Sequence, residues 1–196
     1  MTGLVALVAV LGAVVAAGLW AARVHNGLVR LRHLVHESWR QIDVELTRRH
    51  ELVPNLVETV SPHLRHDPQL VDDVVRARAA ALAAGSARPR RAEAETALTE
   101  ALDRLFAVTA RYPVLSANQN LLALQEELGE TQDRVAAGRR FYNANVAELN
   151  DRVAAWPGRP FAAAFGFRPA EAFELSDPAG PGTAAVRFDR PVVPGE

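Results

Sequence analysis

Cysteine is absent from this chain, which excludes disulfides, thiolate metal ligands and thiol nucleophiles. Lysine is absent too: all 22 basic residues are arginine, so Schiff-base chemistry and phosphate-loop lysines are excluded. No glycine-rich phosphate loop, GxSxG elbow or HExxH zinc motif occurs. Aromatics make up only 6% of residues and β-branched runs are short, whereas alanine is abundant, so composition favours helix over sheet. With a net charge of -1, the 196 residues offer no broad basic face, and nucleic acid is not an expected partner.

What the chain does contain is a long uncharged run at its start. From Thr2 to Ala22 no side chain is ionisable, and Leu4, Val5, Leu7, Val8, Val10, Leu11, Val14, Val15 and Leu19 fall within it. At about -0.3 to -0.6 kcal/mol each, these residues favour membrane insertion by roughly 3 to 5 kcal/mol. The run matches the hydrocarbon thickness as a helix, and Trp20 stands where an interfacial aromatic belongs. A cleaved signal peptide would have a basic leader and a shorter apolar core. Here no basic residue precedes the core and Arg23 follows it directly, so a retained anchor is expected. Arg23, Arg30, Arg32 and Arg40 all flank its C-terminal side, and the positive-inside rule predicts an outside N-terminus with the remaining mass in the cytoplasm.

Beyond Gly27 the apolar positions Leu28, Leu31, Val35, Trp39, Ile42, Leu46, Val53, Val57 and Val60 recur mostly at steps of three, four and seven, one face of a helix. The membrane helix is therefore expected to run into the soluble part without a linker, kinking or breaking near Pro54. Asp67-Pro68 predicts a second helix start, with Val71, Val74, Val75 and Leu82 on one side and a stop near Gly85. A third helix carries Leu98, Leu102, Leu105 and Phe106 and ends at Tyr112-Pro113. A fourth is expected from Ser116, as N-cap, to Trp156, with Leu121, Leu128, Val135, Tyr142, Leu149 and Trp156 as a heptad seam. The fold class is thus all-α: an N-terminal transmembrane helix continuing into an elongated antiparallel four-helix bundle. The expected divisions are an anchor over 1–23, a bundle over 24–156, a capping segment over 157–175 and a disordered tail over 176–196, where Pro and Gly recur.

Chemistry is sparse. His33 and His36 with Glu37, and His63 and His66 with Asp67, have spacings that can share an ion, but solvated helix faces explain them as well. No Glu in the fourth helix has the ExxH partner of a di-iron bundle. Asparagine is the unusual residue: Asn55, Asn118, Asn120, Asn143, Asn145 and Asn150 are poor helix formers, and Asn143 and Asn150 share a face with Arg139 and Arg140 one turn away. They either cap helices and fix register or form a polar recognition surface.

The segment Arg48-Arg49-His50-Glu51-Leu52-Val53-Pro54-Asn55-Leu56-Val57-Glu58-Thr59-Val60 resembles the RR-x-DLIPNLVETV signature of the LemA family. Tyr112-Pro113, Leu115, Ala117-Asn118 and Asn120 are similar to its YP-x-LKAN-x-NF, with Ser116 in place of Lys and Leu121 in place of Phe. Glu127-Leu128, Thr131, Arg134-Val135, Arg140 and Tyr142-Asn143 are similar to its EL-x-x-TE-x-RI…R-x-YN. The resemblance implies a membrane-anchored four-helix bundle facing the cytoplasm at the bacterial inner membrane. It implies no enzymatic activity or cofactor, and a link to the membrane metalloprotease HtpX and envelope quality control. A non-enzymatic scaffold or adaptor is the expected role, with Arg48, Arg49, Asn55, Asn118, Arg140, Asn143 and Asn150 as candidate partner contacts. The alternatives are a homo-oligomeric structural membrane protein and a metal-binding or enzymatic bundle.

Overall fold

The computed structural model describes residues 2–85, 87–156 and 158–175 and, among them, contains helices and no strand. The expected tail over 176–196 lies outside the described residues. Among the described residues six helices follow one another: α1 (Thr2–Val60), α2 (Pro68–Ala83), α3 (Arg88–Thr109), the single turn α4 (Pro113–Ser116), α5 (Gln119–Ala154) and α6 (Gly158–Ala164).

The apolar start and the bundle's main wall are one helix of 59 residues, about 90 Å long at 1.5 Å per residue. Its most apolar 18-residue window is long and hydrophobic enough to cross a membrane, and none of that window is buried within the protein. Leu4, Leu7, Val8, Leu11 and Val14 are all at least 59% exposed, a surface that water does not tolerate on a folded chain and a bilayer does.

Beyond Val24, α5 returns along α1. Gly27 faces Arg152, Ser38 faces Asn145, Ile42 faces Gly138 and Glu45 faces Arg134, so each step along α1 is matched by a step back along α5. Glycine at 138 permits this closeness, since a Cβ there would lie 3.0 Å from Ile42 Cγ1. The shorter α2 and α3 pair with each other along the distal half, and only the start of α3 reaches the proximal core. Arg91 at the start of α3 meets Asp43 of α1, and Arg49 meets Thr99, so α1 and α3 run parallel. The order is up-down-up-down.

The interior divides in two. A distal core joins Val53, Leu56, Val60 and Leu64 to Val74, Leu98, Leu102, Leu105, Leu115, Leu121 and Leu128. A proximal core joins Leu28, Leu31, Val35, Ile42 and Leu46 to Val135, Tyr142, Val146, Leu149 and Val153. Here α2 is absent from the cluster and α3 contributes only Ala92, and the open side is closed by α6 and an extended strap over 167–175 whose Phe167 and Phe173 enter the core. Arg88 and Arg91 of α3 roof the junction, with guanidinium carbons 5.2 and 5.7 Å from the Trp39 ring centroid.

Three local expectations are corrected. The long helix starts after Asn118, not Ser116: the Asn118 side chain accepts from the Asn120 and Leu121 amides at 2.9 and 3.2 Å, whereas the Ser116 hydroxyl donates to the Pro113 carbonyl. The seam stops at Leu149, and Trp156 is 87% exposed, because a following proline disfavours helical backbone at that position. On α2, Val75 and Leu82 are exposed and Val74 and Ala81 carry the buried stripe.

Pro54 lies inside α1. Lacking an N–H, it cannot bond the His50 carbonyl four residues back, and a buried carbonyl left alone is costly. Arg78 of α2 supplies the missing donor: its Nε donates to His50 O at 2.8 Å. Arg78→Met, which keeps the aliphatic stem and removes the donor, is expected to cost about 1–3 kcal/mol. At about 2–4 °C per kcal/mol for a chain of this size, a circular-dichroism melt in detergent reads the loss directly.

Candidate functional site

A layer of buried polar groups lies between the two cores. Core positions on α1 run Ile42, Leu46, Val53, Leu56 and Val60, and Arg49 falls on that same stripe at 3% exposure. Its neighbour His50 is buried as well, whereas Arg48 is exposed. The charge is met by Glu95 of α3, which has no solvent exposure. Arg49 Nη2 donates to Thr99 Oγ1 at 2.8 Å, and Arg49 Nη1 lies 3.7 Å from a Glu95 carboxylate oxygen. Thr99 Oγ1 in turn donates to the Glu95 carbonyl. His50 Nε2 stands 2.9 Å from the other Glu95 oxygen, a pair that is ionic when the imidazole is protonated. That approach is close without being aligned as a hydrogen bond, and both Glu95 oxygens lack an aligned donor among the described residues. Buried Thr131 of α5, whose hydroxyl donates to the Leu128 carbonyl, occupies the same level by the register with α1.

Burial pulls the Arg49 guanidinium below its ordinary pKa, and the negative charges of Glu95 and Asp103 oppose that pull. Asp103 is shifted upward, first by desolvation, with Arg49 acting against the shift and Glu100 adding to it. Two carboxylates thus face one buried cation. The layer joins α1 and α3 by charge and by the Thr99 hydroxyl.

The asparagines of α5 have a different task. The side chain of Asn143 donates to the Phe173 carbonyl at 3.1 Å and accepts from the Phe173 amide at 2.9 Å. Asn150 does the same with Ala170, donating at 3.0 Å and accepting at 2.8 Å. Each amide replaces a neighbouring strand for one residue of the strap. The spacing explains the register: seven helical residues rise about 10.5 Å, and three extended residues cover about 10 Å. Between the two clamped residues Tyr142 OH donates to the Glu171 carbonyl at 2.7 Å, and beyond them Arg139 donates to the Leu175 carbonyl at 2.9 Å. Burial, together with Glu171, raises the Tyr142 pKa, while Arg88 above its ring lowers it.

Of the seven residues singled out by sequence, Arg49, Asn118, Asn143 and Asn150 therefore direct their side chains into the fold itself. Arg48 is exposed on α1. Arg140 edges a shallow depression of about 510 Å³ with Asn143, Phe173 and Glu174. Asn55 lines an open polar cleft of about 370 Å³ at the far end of the bundle, together with Glu58, Thr59, Asn120 and Leu124. The cleft brings the residue after Pro54 together with the first turn of α5, and its Glu58 carboxylate and two amides offer both hydrogen-bond donors and acceptors. Sequence reading missed Glu95, Thr99 and Arg78. The histidines at 33, 36, 63 and 66 are exposed, and among the described residues no three His, Asp or Glu side chains are grouped to hold a metal ion.

Comparison with known proteins gives short curated matches and one long family match. Two magnetosome proteins of Paramagnetospirillum magneticum, MamQ 1 and MamQ 2, are each 36% identical over 80 residues. MamQ of Magnetospirillum gryphiswaldense is 32% identical over 80 residues. In each case the match covers 41% of this chain and only 29% of the relative. The LemA family model matches residues 38–188, most of the chain, taking in the polar layer, Pro54, the α5 cap and the asparagine clamps. The chain belongs to the LemA family.

Proposed function

We propose that this protein is a non-enzymatic, single-pass scaffold of the bacterial inner membrane that holds a partner-binding surface at a fixed height in the cytoplasm. The observation carrying this reading is the single helix Thr2–Val60, in which the apolar segment and the bundle's main wall are one rigid rod. From Arg23 to Val60 the rod rises about 55 Å. The surface offered at its far end is the cleft of Asn55, Glu58, Thr59, Asn120 and Leu124, with exposed Arg48 further along the same helix. Its polar lining suits a hydrogen-bonding protein partner better than an apolar small molecule. A membrane-embedded partner of the HtpX type, acting in envelope maintenance, fits an adaptor whose own position is fixed by an anchor. The MamQ relatives are named for the magnetosome.

Photo-crosslinking amino acids at Asn55 and Asn120 in native membranes test the reading. A discrete adduct with another membrane protein, lost when the crosslinker is moved to the exposed face at Asp72, is the expected result. Adducts of twice the chain mass alone would mark a homo-oligomer, and no adduct at either position would overturn the scaffold reading. Digestion of the bundle by protease added outside intact spheroplasts would overturn its orientation.

A further inference from the structure

The segment joining α5 to the strap has a feature that bundle packing does not use. Trp156, at 87% exposure, flanks α6 with its ring in the open, and Phe165, at 55%, flanks it with part of its ring uncovered. The height of this element is set by ring contacts with α1: Phe161 meets Trp20 edge-on at 5.1 Å, and His25 meets Phe165 edge-on at 4.8 Å. Trp20 belongs to the last turn of the uncharged run and His25 to the first turn after Arg23. The five helical steps from one to the other rise about 8 Å, close to the depth of one headgroup layer. Gly166, in the left-handed conformation at φ 71°, turns the chain from α6 back to the strap, so α6 is held at this level from both ends. Arg159, on the first turn of α6, and Arg23 are exposed beside these rings.

We infer that Trp156, α6 and Phe165 form a second foothold on the same bilayer, with their rings at the boundary of headgroup and acyl chain and with Arg159 and Arg23 paired to lipid phosphate. The inference rests on reading residues 2–22 as a membrane span. Exposed tryptophan and phenylalanine beside arginine are the residues of an interfacial element, which lies in the plane of the surface and does not cross it. A bilayer is the occupant because the patch continues from Trp20, the end of the span, and because its neighbouring charges match anionic lipid.

The test uses the full chain reconstituted in vesicles of phosphatidylcholine and phosphatidylglycerol. The Trp156 contribution is the difference in emission between the wild type and Trp156→Phe, which leaves Trp39 and the core untouched. Lipids brominated high on the acyl chain are expected to remove most of that contribution, and lipids brominated near the chain end to remove much less. Aqueous acrylamide is expected to quench it weakly. Strong acrylamide quenching without bromolipid quenching, in protein that still resists alkaline carbonate extraction, would overturn the foothold and leave the anchor standing. Extraction of the whole chain by carbonate would overturn the anchor and the foothold together.

Discussion

Glu95→Ala is expected to destabilise the bundle by about 3–5 kcal/mol, because it leaves the Arg49 guanidinium buried at 3% exposure with its acidic partner gone. The corresponding drop in melting temperature is about 6–20 °C at about 2–4 °C per kcal/mol. Asp103 is then the remaining counter-charge acting on Arg49. The double replacement Arg49→Met with Glu95→Leu should recover most of the loss, since it removes both charges and joins the two apolar cores. Detergent-solubilised full chain, melted with far-ultraviolet detection, reads the wild type and both variants on one scale. A Glu95→Ala protein melting within a degree of wild type would show that the layer does not hold the bundle. A double variant as unstable as the single one would place the cost in packing and not in charge.

Asn143→Ala with Asn150→Ala is expected to release the strap while leaving α1 and α5 paired. Four hydrogen bonds disappear, at a net of about 0.5–1.5 kcal/mol each, or roughly 2–6 kcal/mol. The Ala170 and Phe173 amides, which donate to the two side chains, should lose exchange protection by about 30-fold or more. Hydrogen exchange over 167–175 reads this, with amides in the distal core as the internal control. Asn143→Asp with Asn150→Asp separates amide geometry from side-chain bulk. Aspartate can accept from the strap amides but cannot donate to its carbonyls, so partial protection is the expected outcome. Unchanged exchange in the double alanine variant would show that Phe167 and Phe173 hold the strap without the clamps.

Much of this architecture is legible in the residue pattern. The uncharged run, the absence of a linker at Gly27 and the three-and-four spacing to Val60 together predict a membrane helix that runs into the bundle with a kink or break near Pro54, and α1 runs through Pro54 to Val60 without a break. The polar layer was half-legible. Arg49 lies three residues after Leu46 and four before Val53, so a charge on the core stripe already demands a buried partner. Glu95, three residues before Leu98 on α3, stands at the matching place, but nothing in a linear pattern pairs two helices across 46 positions. Adjacent Arg48 and Arg49 look alike in sequence, and only the helical phase separates the solvated one from the buried one. The strap was the least legible part. Its backbone has no periodic apolar pattern, and its hydrogen-bond partners are side chains of another element. The seven-residue spacing of Asn143 and Asn150 marked a shared face, and the choice between a fold contact and a recognition surface needed the segment lying on it. For Arg78, the signal was Pro54: a proline inside a helix leaves a carbonyl that some other donor must meet.

The pairing of α1 with α5 also sets a timetable during synthesis. Ser38 waits for Asn145, which is 107 residues further along the chain, whereas α2 and α3 are joined by a short turn and can pair as soon as they appear. At roughly 5–20 residues per second, the stripe from Leu28 to Leu46 stays uncovered for about 5–20 s after α1 is made. The strap can dock only when that hairpin is complete, so it is the last part of the proximal core to form. A nascent chain is therefore most open to proteolysis and chaperone capture at the end nearest the bilayer, and a truncation before residue 167 should leave that end unsealed however well the distal half has folded.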